Sequence, residues 1–397
     1  MDPADTDPRP AVGRGAGTFG LYAAFGCLGY LLTALGAILP ELREERGLPR
    51  SEVALYPSAF ALGLVVVGFT GHWAAGRLGR LALPAALTAL VGGACVMAAG
   101  GGRLGAGAGA LILGLGGAGL VQLVPTGLRA LHGGDGTIQI GVANAVSSAA
   151  SVLSPILIGA ALAHGLGWRA AFAIPPLAVA AVLLLITRPP TTGRAGSGVA
   201  RDGPGAGGGA RGTAPPAFRS RWFDLVLAVG VEFCMVFWAA DFLGDVKEFG
   251  AGAAATLSAA FVLGMAVGRA ASGPVVRALG RPDRLLAAAA LVGMAGFAIL
   301  WTAPAPLAVV GLLVTGLGVA LLYPVILGRA LAAWPAQPVR AAARCALASG
   351  VAIGVAPLAL GTLADLTTLR AAVFVAPALL LVLLVRCGRR LRPAVSR

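Results

Sequence analysis

The chain has 397 residues, of which 58% are apolar and only 12% charged, and its mean hydropathy is +0.87. A water-soluble protein of this size cannot hide so much apolar surface, so the composition excludes an ordinary soluble domain and points to lipid as the solvent. The formal net charge is +14, carried by 29 arginines and Lys247 against 16 acids. The arginines fall in short breaks between apolar runs, so they read as headgroup anchors and not as a nucleic-acid-binding face.

Residues 1–16 are rich in Asp, Pro and Arg and read as a polar tail. Apolar runs follow at 17–40, 53–71, 82–100, 105–128, 138–163 and 170–187. The first is too long for the core of a cleavable signal, and further runs come after it. Residues 188–220 are built from Gly, Pro, Arg, Ser and Thr and read as a flexible linker. A second unit spans 221–387, with runs at 222–243, 253–272, 285–302, 307–328, 343–363 and 371–386, and a basic tail closes the chain at 388–397. Each run is near the ~20 residues a helix needs to cross ~30 Å of hydrocarbon, and none alternates as a barrel strand would. The expectation is an all-α polytopic membrane protein with twelve spanning helices in two six-helix bundles.

Arginine placement orients the spans. With both termini and the linker in the cytoplasm, 22 basic residues lie on that side and 7 on the opposite one. Such a bias fixes orientation in a plasma (inner) membrane.

The two units repeat each other. Phe60-Ala-Leu-Gly63 matches Phe261-Val-Leu-Gly264, Leu78-Gly79-Arg80 matches Leu279-Gly280-Arg281, and Arg169-Ala-Ala matches Arg370-Ala-Ala, all at an offset of 201. Small slips add Pro155 and Gly159 with Pro357 and Gly361, and Arg129 with Arg329. Two parallel six-helix repeats place a solute site at their interface near the bilayer midplane.

Several intramembrane residues are candidates for that site. Glu232 lies about ten residues into the seventh run, hence ~15 Å deep. A carboxylate there costs roughly 2.5–3.5 kcal/mol unless water or a partner meets it, and it is able to load and unload a proton. Asp241, nine residues on, reads as an interfacial charge in water. Asn144, Ser148 and Ser151 share one face of the fifth helix, and Gln122, Thr126 and Arg129 share one face of the fourth. Tyr30, Thr33, Trp238 and Tyr323 offer aromatic or hydroxyl groups in mid-span. For each of these, gluing helices together is the competing reading.

Other chemistry is not indicated. The five cysteines form no CxxC pair, and His72, His132 and His164 lack metal-ligand spacing, so neither metal nor cofactor is expected. Gly114-Leu-Gly116-Gly-Ala-Gly119 matches a dinucleotide fingerprint but sits inside an apolar run with no βαβ unit, and its glycines suit close helix packing instead. No nucleophile elbow or phosphate loop is present, so an enzyme is not expected.

The loop His72-Trp-Ala-Ala-Gly76-Arg77-Leu-Gly79-Arg80 and its copy Gly273-Pro-Val-Val-Arg277-Ala-Leu-Gly280-Arg281 resemble the Gly-x-x-x-Asp-Arg-x-Gly-Arg loops of the major facilitator superfamily. The turn and its arginine are kept in both, while Gly76 and Arg277 stand where the family has aspartate. Ser154-Pro155-x-x-x-Gly159 resembles a degraded proline-glycine motif of drug–proton antiporters. Gly36-Ala-Ile-Leu-Pro40 and Tyr323-Pro324 resemble sugar-permease-like branches. The resemblance implies a secondary transporter that moves a small solute by alternating access, and the mid-span position of Glu232 makes it the expected proton-coupling acid. It implies gate roles for Arg77, Arg80, Arg277 and Arg281, and the reading of the residues adds Arg129 and Arg329 as gate latches or headgroup anchors. A drug or metabolite efflux antiporter of the same fold and a non-transporting membrane sensor or scaffold stay open as alternatives.

Overall fold

The computed structural model describes residues 11–100, 102–133, 136–186, 213–272 and 280–391. Arg277, most of the expected linker and parts of both tails lie outside the described residues.

Apolar runs in lipid must satisfy their own backbone, and helix is how they do so. In the first half the helices are α1 (Ala11–Arg46), α2 (Leu55–Leu78), α3 (Ala82–Ala99), α4 (Arg103–Leu131), α5 (Thr137–Ala163) and α6 (Trp168–Ile186). In the second they are α7 (Pro216–Asp245), α8 (Ala251–Ala270), α9 (Pro282–Thr302), α10, α11 (Pro338–Leu366) and α12 (Val375–Leu391). The tenth is broken: Ala305–Val319 and Leu322–Ala332 flank a turn at Ala320 and Leu321. Among the described residues, 12 helices are long and apolar enough to cross a membrane. With an even number of spans, Ala11 and Leu391 fall on one face, called here the terminal face; the opposite end is the far face.

Several helices overrun their expected limits at the terminal face, α1 and α7 among them. Expected from residue 17, α1 begins at Ala11, and α7, expected from 222, begins at Pro216. Proline suits the first turn of a helix because its missing N–H would have no partner there. The extra turn of α7 is held by Ser220 and Arg221, which bond to groups of α9 and α12.

The packing centre is α1 with α7. In both, 78% of the apolar window is buried inside the protein, against 22% for α6 and 33% for α12, which places the last two at the lipid. The halves meet where α1 packs on α7, α2 on α11 and α5 on α8. The last two pairs exchange under the internal repeat, so the interface has pseudo-two-fold symmetry.

Close packing inside each half repeats as well. A Cβ on Gly114 of α4 would overlap the Phe60 carbonyl of α2, and one on Gly316 of α10 would overlap the Phe261 carbonyl of α8. Gly116 likewise abuts the Leu90 backbone of α3, as Gly318 abuts Gly293 of α9. The glycine run that matched a nucleotide fingerprint is therefore a helix-packing seam.

Candidate functional site

The polar contacts that join the halves cluster towards the far face. Asp241 of α7 is only 3% exposed and holds two arginines from the other half, Arg50 Nε at 2.7 Å and Arg43 Nη2 at 3.3 Å. Arg50 also reaches Asp245 at 3.0 Å. The backbone N–H groups of Arg50 and Ser51 donate to the Asp365 carboxylate of α11. Nearer the centre, the Ser58 hydroxyl of α2 donates to the Gly354 carbonyl of α11. Burial with two cations overturns the expectation that Asp241 is a solvated interfacial charge. Its helix points it at the partner half, a direction that the sequence of one helix does not carry. Beside this lock, a cavity of about 390 Å³ lies between α1, α5, α7 and α8, with Glu41, Glu44 and Asp245 in its wall.

Towards the terminal face the interface is different. Gln122, Thr126 and Arg129 on α4, Asn144 on α5 and Arg269 on α8 are all exposed in the terminal halves of their helices. Polar groups facing hydrocarbon are costly. Of these, Asn144 and Arg269 sit on α5 and α8, a helix pair that packs across the interface.

Glu232 lies near the middle of α7. Its carboxylate is 15% exposed and meets Nη2 of Arg269 at 3.3 Å. Arg269 is 39% exposed and its Nε donates to the Ala320 carbonyl at 3.5 Å, at the break in α10. A carbonyl at a helix break has lost its own ladder partner, and a guanidinium supplies one. Tyr323, one turn beyond the break, lies within electrostatic reach of Glu232 and Arg269 and beside the Ser349 hydroxyl of α11. Four helices of the second half thus converge on one acid, one base and two hydroxyls. Glu232 and Tyr323 are among the sequence candidates, and Arg269 is not.

The profile of the Major Facilitator Superfamily matches residues 21–338. The chain belongs to the Major Facilitator Superfamily. No curated protein sequence matches it. Among solved structures it is similar to a bacterial homologue of the human lysosomal transporter Spinster, inward-facing and unoccupied, with a TM-score of 0.72 at 15% identity, covering 95% of this chain and 97% of that one. It is similar to the nucleoside transporter NupG, with a TM-score of 0.74 at 13% identity over 96% and 99% of the two chains. It is also similar to the human organic anion transporter MFSD10, with a TM-score of 0.61 at 19% identity over 96% and 100%. The chain is a multi-pass membrane protein with this transporter fold.

The superfamily's loop motif keeps its geometry where it is described. Gly79 and Gly280, equivalent in the two copies, have φ of 51° and 62°, which a side chain would strain. Arg77 stacks on Trp73, 4.4 Å from the ring centroid, and Arg80, Arg129 and Arg281 are exposed. Arg329 instead grips Asp283 of its own half with two bonds of 2.6 and 2.9 Å. Asp283 joins a wider network at the terminal ends of α7, α9, α10 and α12. Its partner acid Asp224 is fully buried and binds Arg386 at 2.6 Å and Arg390 at 2.7 Å.

Several other pocket candidates of this superfamily member are engaged elsewhere. The Tyr30 hydroxyl donates to the Ala171 carbonyl of α6. Thr33 donates to the Ser151 carbonyl at 2.8 Å, and Ser151 donates back to Gly29 at 2.9 Å, which clamps α1 to α5. Trp238 donates to the Pro357 carbonyl of α11 at 3.1 Å. Gln122 reaches the Val67 carbonyl at 3.4 Å and Asn144 bonds its own helix at Ile140, while Ser148 is half-buried beside this stretch. The structure therefore brings Glu232, Tyr323 and Arg269 together. Gln122 and Arg129 on α4 and Asn144 on α5 are exposed in the first half.

Proposed function

We propose that this superfamily member moves a small solute across the plasma membrane by alternating access, with both termini cytoplasmic and Glu232 as the proton-carrying acid. The far face, where the halves are locked by Asp241 and Asp365, then looks outward. The observation that carries the reading is Glu232 itself. It is a mid-span carboxylate, 15% exposed and paired with Arg269. An ionisable residue inside a membrane bundle is a functional candidate by default.

The remaining parts fit that cycle. Rocking the halves about α1 and α7 would break the lock between Asp241 and the arginines Arg43 and Arg50, and open the outer cavity to the site. The exposed Gln122, Asn144 and Arg129 and the half-buried Tyr323 and Ser148 would line the solute path. Tyr30, Thr33, Ser151 and Trp238 would act as clamps within each half that keep it rigid during rocking. Arg77, Arg80, Arg277 and Arg281 would close the cytoplasmic end in the other state, with Arg329 holding the second half's part of that surface.

The test is solute flux into proteoliposomes under an imposed pH gradient. Gradient-driven uptake that Glu232→Gln abolishes is the expected result. Flux in Glu232→Gln that matches the wild type and still follows the gradient would remove Glu232 from the mechanism.

A further inference from the structure

We infer that the cargo is a small carboxylate-bearing solute, and that its carboxylate takes the place of Glu232 on Arg269. The inference deepens the transport reading above and rests on it.

The ion pairs of this chain are made in different ways, and two pairs that hold the fold are short and forked. Arg329 grips Asp283 with two bonds of 2.6 and 2.9 Å, and Arg169 grips Glu45 with two bonds of 2.7 and 2.9 Å. Two-point pairing is the strong form of the arginine–carboxylate contact. Arg269 meets Glu232 through a single nitrogen at 3.3 Å, and its other bond, to Ala320, is 3.5 Å long. A guanidinium carries five N–H donors in a planar fork. Here the fork is incompletely used, and the side chain is 39% exposed.

Position adds a second argument. Arg269 is anchored to the carbonyl at the break in α10, so its fork sits at an irregular point of the helix that also carries Tyr323. Tyr323 and Ser349 supply hydroxyls beside the pair that can bond whichever carboxylate is in place. A cation inside a membrane protein is favoured by an anion beside it. Glu232 fills that need in this conformation, through one long contact, and a solute carboxylate able to use both arms of the fork would replace it. A neutral sugar or a cation would have no such exchange to make, since Arg269 would repel the cation and stay paired with Glu232 against the sugar.

The test is binding to the full-length protein in lipid nanodiscs at constant ionic strength. The probes are acetate, lactate, benzoate and succinate, with glucose and tetraethylammonium as neutral and cationic controls, and the readout is the shift in melting midpoint with concentration. A carboxylate is expected to bind the wild type. Its binding should weaken by about tenfold or more in Arg269→Gln, where one partner of the charge pair is gone. It should tighten in Glu232→Gln, where the competing side-chain carboxylate is gone. If Arg269→Gln fails to fold, Arg269→Lys keeps the charge without the fork and should still bind more weakly than the wild type. The proposal falls if no carboxylate binds, if one binds the wild type and Arg269→Gln alike, or if Glu232→Gln leaves affinity unchanged. A neutral solute carried by the pH gradient through Glu232 would overturn this inference and leave the transport reading standing.

Discussion

Asp365 caps a helical turn in the half to which it does not belong: its two carboxylate oxygens accept from the backbone N–H groups of Arg50 and Ser51, at 2.9 and 2.7 Å. Those N–H groups begin the short turn Arg50–Val53, whose own preceding residue, Pro49, offers no side-chain cap. The first N–H groups of a helix need outside acceptors and favour a negative charge. The second half provides both only while the far face is closed. The same Arg50 side chain holds Asp241 and Asp245, so one segment fastens three acids of the opposite half.

Replacing Asp365 with Ala should therefore open the far face without harming either half. A hydrogen bond to a charged group contributes roughly 1.5–3 kcal/mol, and about 1.4 kcal/mol is tenfold in a population. The expected result is a fall of about tenfold or more in the ratio of far-closed to far-open molecules. Spin labels at Leu166 and Leu366 would read it as a longer distance component, because both side chains are exposed at the far face, one in each half. The five native cysteines, four of them buried, would first be replaced. An unchanged distance distribution would show that the cap does not bear on the closed state.

Asp241 should be the costliest member of the lock to lose. It is 3% exposed and faces two guanidinium groups, so Asp241→Asn leaves cations short of their counter-charge in a buried place. Removing one partner of a buried pair typically costs about 3–5 kcal/mol. Arg43 is 22% exposed, and its second carboxylate, Glu44, is 4.0 Å away at the surface. Arg43→Gln should cost much less. Melting midpoints in one detergent should fall furthest for Asp241→Asn, less for Arg50→Gln and least for Arg43→Gln. The reverse order would mean that solvent, and not the arginines, compensates Asp241.

The spans and the repeat were legible because lipid imposes them. Long apolar runs have no other stable fold in a bilayer, and the matching Phe60 and Phe261 segments do lie against equivalent glycines, Gly114 and Gly316. The site was legible only in part. Glu232 stands out because an acid in mid-span is rare. Arg269 does not, since it is the second-last residue of α8 and looks like another terminal anchor until α7 is packed beside it. Thr33, Ser151 and Trp238 show the reverse difficulty. Their polar tips suit a pocket equally well, and only the assembled neighbours reveal carbonyls of Ser151, Gly29 and Pro357 as their acceptors. Helix periodicity gives the face of a residue but not what lies opposite it.

Asp224 and Glu232, both on α7, should separate cleanly in stability. Asp224 is fully buried and shared between Arg386 and Arg390, at 2.6 and 2.7 Å, so Asp224→Asn should lower the melting midpoint markedly. Glu232→Gln breaks one long contact to a guanidinium that is 39% exposed, and such pairs contribute only about 0–1 kcal/mol. Its midpoint should stay close to that of the wild type. A large destabilisation by Glu232→Gln would make the pair a structural one and weaken the case for it as an exchangeable site.

The glycine seams make a symmetric prediction. Added methyl groups at Gly114 and at its repeat partner Gly316 would overlap the carbonyls of Phe60 and Phe261, which are backbone atoms and cannot rotate away. Gly92 and Gly107 have no neighbour within 4 Å of an added Cβ, on α3 and α4 respectively. Overpacking costs about 1–3 kcal/mol, while Gly→Ala in an open helical position gains up to about 1 kcal/mol from the unfolded chain. Gly114→Ala and Gly316→Ala should both lose monodisperse protein on size exclusion and melt earlier. Gly92→Ala and Gly107→Ala should melt at or slightly above the wild type. Equal tolerance at all four positions would mean that α2 and α8 can shift outwards at little cost. The rigidity of each half, on which any rocking motion depends, would then need another source.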